Sequence, residues 1–150
     1  MQRVAALGLI AMVAGCSSTT SVRPFGGSYD LISVDGKADP QALFPGSKSP
    51  EVVGGTLAVG ADTLTVTLLE QSVDGAGHAV GDVTSEVEAI GYTRQGDKLV
   101  FTNGAPGSGG VILGSGVRLT FEVSLASSTG FEAVTRNFLF VPSTDPGAAP

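Results

Sequence analysis

The sequence predicts an all-β fold: a single antiparallel up-and-down barrel of about seven or eight strands, with a β-sandwich as the alternative. Three observations carry this. Apolar residues recur at every second position through most of the chain after Ser28. Turn pairs rich in Gly, Asp and Asn separate these runs at short intervals. No run of comparable length repeats at the helical period. Short turns between successive strands make neighbours antiparallel, and closing the sheet removes its exposed edges, which favours the barrel.

The elements follow in order. Ser28 to Val34 forms a first strand, and Asp35-Gly36 turns it. Asp39 to Pro50 is a proline-containing loop, with one short helical turn expected near Gln41-Ala42-Leu43-Phe44. Thr56 to Val59 is a short strand and Gly60-Ala61-Asp62 a tight turn. From Thr63 to Ser72, Leu64, Val66 and Leu68 alternate with Thr63, Thr65 and Thr67, the pattern of a half-buried strand. Val73 to His78 is a loop. Asp82 to Thr93 is a long strand whose apolar face is read as Val83, Val87 and Ala89; a bulge at Gly91 would then be needed to bring Tyr92 inward. Gln95-Gly96-Asp97 turns the chain into Lys98–Thr102. A glycine-rich loop runs from Asn103 to Gly110, and Val111-Ile112-Leu113 is a short strand. Val117, Leu119, Phe121, Val123 and Leu125 line one face of the next strand, and Phe131 to Val141 is the last.

The chain has 150 residues, which suits one domain able to bury about two-thirds of its unfolded surface. Its 8 Lys+Arg and 14 Asp+Glu are scattered, without the clustered basic footprint that nucleic acid requires. The ends differ in character from the middle. Met1-Gln2-Arg3 carries one positive charge, Val4 to Val13 is apolar, and Val13-Ala14-Gly15 leads to the only cysteine, Cys16. A basic start, an apolar core of about 7–15 residues and small residues at a cut site mark a secretory signal. A spanning helix would need roughly 20 apolar residues. Residues 1–15 are therefore read as a signal peptide, 16–25 as a flexible tether spanning roughly 18 Å as a coil, 26–141 as the barrel domain and 142–150 as a disordered tail.

Val13-Ala14-Gly15-Cys16 resembles the lipobox of bacterial lipoproteins. The resemblance implies that Cys16 is acylated on sulfur after cleavage and that the protein is lipid-anchored in the cell envelope. Several acyl chains on one residue suffice for a stable anchor. Ser17 stands where an aspartate often retains such proteins in the inner membrane, so the outer membrane is expected where the cell has one. Ser28-Tyr29-Asp30-Leu31-Ile32-Ser33-Val34-Asp35-Gly36 with Pro40, Gly55-Thr56-Leu57, and Gly96-Asp97-Lys98-Leu99-Val100-Phe101 resemble the hairpins of lipocalin-like bacterial lipoproteins. That resemblance implies a small up-and-down barrel in the envelope and no assigned reaction. The Gly-x-Trp motif of true lipocalins is not part of it, since the chain has no tryptophan.

Candidate chemistry is sparse. His78 is the only histidine and sits among Gly75, Ala76 and Gly77, with no nucleophile and orienting acid nearby in sequence. Glu86 and Glu88 lie about 7 Å apart on one strand face, a spacing compatible with paired carboxylates in glycoside hydrolysis but read here as a solvated face. The glycines from Gly104 to Gly116 lack the Gly-Lys-Ser/Thr ending of a phosphate loop. Gly114-Ser115-Gly116-Val117-Arg118 resembles only faintly the small-residue-plus-arginine motif of periplasmic lysozyme inhibitors. The acids of 35–39 and 74–82 match no calcium-loop spacing. No metal and no cofactor is expected, and no enzyme activity.

Arg136 shares a strand face with Val134, Phe138 and Phe140. If that face points inward, its guanidinium must find an anion or enough acceptors, and the carboxylate of a fatty-acid-like ligand would serve. The function expected is a non-enzymatic envelope barrel that binds a small apolar ligand or a protein partner. The alternatives are a structural or assembly lipoprotein with a filled barrel, and an inhibitor of an attacking enzyme.

Overall fold

The computed structural model describes residues 25–38, 41–43, 50–127 and 130–144. The signal segment, Cys16 and the tether up to residue 24 lie outside them, as does the tail from residue 145. Regular structure among the described residues is entirely β: β1 (Gly27–Val34), β2 (Gln41–Ala42), β3 (Glu51–Val59), β4 (Thr63–Val73), β5 (Ala79–Gln95), β6 (Lys98–Phe101), β7 (Gly109–Leu113), β8 (Gly116–Ser127) and β9 (Gly130–Pro142). Every pairing is antiparallel. The sheet runs β1-β9-β8-β7-β6-β5-β4-β3, and β1 pairs with β3 to close it. The protein is thus a closed eight-stranded up-and-down barrel. The two-residue β2 is an appendage on the start of β3 and takes the place of the helical turn expected there.

Inward positions follow the period of two. Leu64, Val66 and Leu68 of β4, Val117, Leu119 and Phe121 of β8, and Phe138 and Phe140 of β9 are buried. Phe121 and Phe138 stack at 4.4 Å between ring centroids, 10° from parallel. β1 departs from strict alternation. A register shift between Leu31 and Ser33 puts Ile32 at the surface and Ser33 beside outward Leu139, and returns Val34 to the interior opposite Phe138. The turn after β1 has positive φ at both Asp35 (50°) and Gly36 (77°), the signature of a type I′ turn.

β3 begins at Glu51, five residues before the expected start, because Gly54-Gly55 conceals its alternation. Gly55 is glycine for a spatial reason. A Cβ there would lie 2.6 Å from the Thr67 carbonyl oxygen, between Leu31 and Leu68. Since the obstruction is backbone, β3 and β4 would have to part. Gly55→Ala is expected to cost about 1–3 kcal/mol, read as a lower thermal midpoint by circular dichroism; an unchanged midpoint would refute the close approach.

The long strand β5 is inverted relative to its expected facing. Ile90 and Tyr92 are buried, while Val83 and Val87 are exposed. Pairing is regular on both sides of Gly91, without the expected bulge. The Tyr92 hydroxyl donates to the Gly60 carbonyl at 2.9 Å. Just before β1, Phe25, assigned to the tether, packs against Tyr29 and edge-on to Tyr92. At its far end, Pro142 belongs to β9, and the Ser143 amide donates to the Ser28 carbonyl.

Candidate functional site

The two barrel ends differ. At one end lie the start of β1, the end of β9 and the turns at 60–62, 96–97 and 114–115, and here the wall is continuous. At the other end, two long hairpins outgrow the one between them. β4–β5 and β8–β9 pair along most of their lengths, whereas β6 has four residues and β7 five, held by two pairs, Lys98↔Val111 and Leu99↔Gly110. β5 therefore pairs with β6 only over Tyr92–Gln95, with one more bond from the Thr102 amide to the Gly91 carbonyl. β8 pairs with β7 only up to Thr120. Among the described residues, β5 before Gly91 and β8 after Thr120 have no partner on their facing sides. Where β6 and β7 lie between them, β5 and β8 stand three strand steps apart, about 14 Å. Toward the open end this becomes a notch in the wall.

The notch opens into a cleft of about 260 Å³ lined by Val66, Leu68, Glu86, Glu88, Phe121 and Val123, among others. A second hollow of about 180 Å³ lies at its floor, between Glu88–Gly91, the 103–108 loop and Phe121. The walls are the inward rows of β4, β5 and β8 continued beyond the packed core. Glu86 lies opposite Leu68, Glu88 opposite Val66, and Glu70, the next inward position of β4, opposite Thr84. Glu86 and Glu88 thus occupy the interior face, not the solvated outer face expected of them. Both are exposed, because the interior is open to water at this height.

Electrostatics at the cleft are one-sided. Burial, reinforced by the charge of Glu86, raises the pKa of the Glu70 carboxyl above its ordinary value. The same two causes, in the same order, raise that of Glu88. The Oε1 atom of Glu70 is buried without a hydrogen-bond partner among the described residues. The sequence reading passed over Glu70, although its parity with Leu64, Val66 and Leu68 marks it as inward.

Arg136 does face inward, opposite Phe121. Its acceptors come from the chain itself. Its Nε donates to the Leu43 carbonyl at 2.8 Å, its Nη2 to the same oxygen, and its Nη1 to Asp35 Oδ2 at 2.7 Å. Asp35 Oδ1 also accepts from the Asn137 amide nitrogen at 2.9 Å and from its side-chain Nδ2 at 3.1 Å. Burial works to raise the Asp35 pKa, but these donors outweigh it and hold the carboxyl below the ordinary value. The group is a clasp that ties the β1 turn and the β2 segment to β9.

His78 lies at the β4–β5 tip, exposed, with Nδ1 3.2 Å from Asp74 Oδ2. Asp74 Oδ1 accepts from the backbone amides of Ala76 and His78 at 2.8 and 2.9 Å, an Asx-type turn that explains the local sequence. Among the described residues, no three His, Cys, Asp or Glu side chains are grouped so as to hold a metal ion. Arg118 lies on an outer groove with Asp35, Asn137 and Leu139, away from the cleft. In comparisons with known proteins, no family model, no curated protein and no solved structure matches this chain.

Proposed function

We propose that this protein is a lipid-anchored, non-enzymatic binding barrel of the bacterial cell envelope, and that it binds a protein partner at the open-end cleft. The contrast between the two barrel ends carries the reading. In the closed half the interior is occupied by Leu57, Leu64, Leu99, Val117, Leu119, Phe138 and Phe140, each 2 % exposed or less. A deep apolar ligand would have to displace them. In the open half the same interior runs out between apolar walls into water. The carboxylates there would repel a fatty acid, and Arg136, the counter-charge such a ligand would need, already has its own partners. Neither Glu86 nor Glu88 is oriented by a hydrogen bond among the described residues, which favours binding over acid–base chemistry.

Orientation supports the anchor. The chain joins the barrel at Gly27, on the closed end, eleven residues after Cys16. A lipid on Cys16 would hold that end toward the membrane and turn the cleft outward. The lipobox Val13–Cys16 behind its signal supports the lipid, and Ser17 favours the outer membrane.

Cys16→Ser is expected to abolish metabolic labelling by a fatty acid and to move the protein from the membrane to the soluble fraction. A mutant that still labels and still fractionates with membranes would overturn the anchor. Native mass spectrometry of the protein extracted from the envelope tests the binding reading: a co-purifying partner is expected, and a bare barrel would leave the structural role in its place.

A further inference from the structure

The free backbone of β5 defines a partner more closely than the cleft does, and this step rests on the binding reading above. The Gly91 carbonyl accepts from Thr102 on the β6 side, whereas the Tyr92 amide donates to Asp62 on the β4 side. Ladder groups alternate sides from residue to residue. The N–H and C=O groups of Ser85, Val87 and Ala89 therefore point to the notch side, where no described residue hydrogen-bonds to them, although the 103–108 loop borders Ala89. Side chains alternate in the perpendicular sense. Glu86 and Glu88 face the barrel interior, and Val83 and Val87 stand exposed on the outer face, 50 % and 62 % accessible.

Long exposed edges invite another strand, and cross-strand pairs then set which residues suit it. We infer that the notch is a strand-addition site, and that its occupant is an extended segment of a partner protein in which Lys or Arg alternates with Val, Ile or Thr. Added along β5, such a segment places its basic side chains beside Glu86 and Glu88 and its β-branched side chains beside Val87 on the outer surface. Its main chain satisfies the groups of Ser85, Val87 and Ala89. The charge complementarity is specific to this notch: its inward rim carries Glu70, Glu86 and Glu88, and the lining residues of the cleft include no Lys or Arg. At this height the two strand places taken lower down by β6 and β7 carry no paired strand, and an added strand takes one of them, about 4.8 Å from β5.

The probe is a fluorescent, end-blocked peptide, Thr-Val-Lys-Val-Lys-Val-Thr, measured by anisotropy on the full mature chain at low salt. A Kd on the order of 10 µM is expected, in the range of transient recognition. Methylating the valine amides removes the donors that must face β5 and is expected to abolish binding, although charge and composition are unchanged. Replacing both lysines by glutamate does the same through repulsion. On the protein side, Glu86→Gln with Glu88→Gln is expected to weaken binding at least about fivefold and to flatten its dependence on salt. Val87→Pro removes one free edge donor at a position where an edge strand tolerates proline, and weakens binding with an unchanged circular dichroism spectrum. If Val87→Pro does not fold, the methylated peptide on wild-type protein decides the same point. Equal binding of the methylated and plain peptides, or no binding of the plain peptide, overturns strand addition. If a partner nevertheless co-purifies in native mass spectrometry, the binding reading survives and only the mode of recognition falls.

Discussion

Phe138→Ala is expected to lower the unfolding free energy by about 3–5 kcal/mol, the usual cost of truncating a fully buried aromatic side chain. Phe138 is 0 % exposed and lies on β9, between β8 and β1. It lies opposite Leu119 in β8 and opposite Val34 in β1, and its ring stacks on Phe121, its diagonal neighbour in β8. Removing it deletes the stack and leaves a void that backbone-paired walls cannot collapse to fill. The thermal midpoint is expected to fall by about 10 °C or more. Phe138→Leu keeps most of the volume and is expected to lose less than half as much. Urea titrations of both variants check this. An alanine variant within 1 kcal/mol of wild type, on the scale of ordinary surface changes, would mean that the interior is not packed as described.

The second large effect is at the clasp. Asp35→Ala removes Oδ1, which accepts two hydrogen bonds from Asn137, and the anion facing Arg136, whose side chain is only 15 % exposed. It also asks alanine to adopt a φ of 50°, which Asp and Asn tolerate better. The expected loss is about 2–4 kcal/mol, with Asp35→Asn losing less because it keeps the backbone conformation and an acceptor oxygen.

The pH profile separates this carboxyl from those at the cleft. Asp35 has a depressed folded pKa, so its contribution is present above its ordinary value of 3.8 and is lost as pH falls through the folded value. Glu70 and Glu88 are raised, so their ionisation weighs against the folded state. Stability therefore increases as pH falls through their folded values toward 4.5, the ordinary value for glutamate. Wild-type stability is expected to peak in mild acid and then drop steeply. Asp35→Ala retains the rise and loses much of the drop. An unchanged acid limb in the variant would remove Asp35 from the account.

The fold was largely legible from the sequence because its strands obey one rule wherever the interior is dry. β4 is the clearest case, with Leu64, Val66 and Leu68 turned in and threonines between them. The same rule misled at β5. Polarity reports water, not direction, and beyond Ile90 the interior is wet, so Glu86 and Glu88 can face in while Val83 and Val87 face out. The cleft was hidden for that reason, together with the unequal hairpin lengths that open the wall. That Arg136 shares a face with Phe138 and Phe140 followed from period two; that this face is the inward one did not. Nor did the partners of Arg136, because Asp35 and Leu43 reach it through a long-range register that no local pattern encodes.

That register also governs how the barrel comes together in time. β1 lies between β3 and β9, so one of its edges stays open until the last strand is available. Asp35 waits for Asn137, 102 residues further along the chain. Contacts of such separation characterise β folds that form in milliseconds to seconds, after much of the chain-closure entropy has been spent. A nascent or truncated chain lacking β9 would not be a smaller barrel. It would be an open sheet with β1 and β8 both unsatisfied, the kind of intermediate that self-associates. The final strand is therefore both the kinetic bottleneck of this protein and its main safeguard against aggregation.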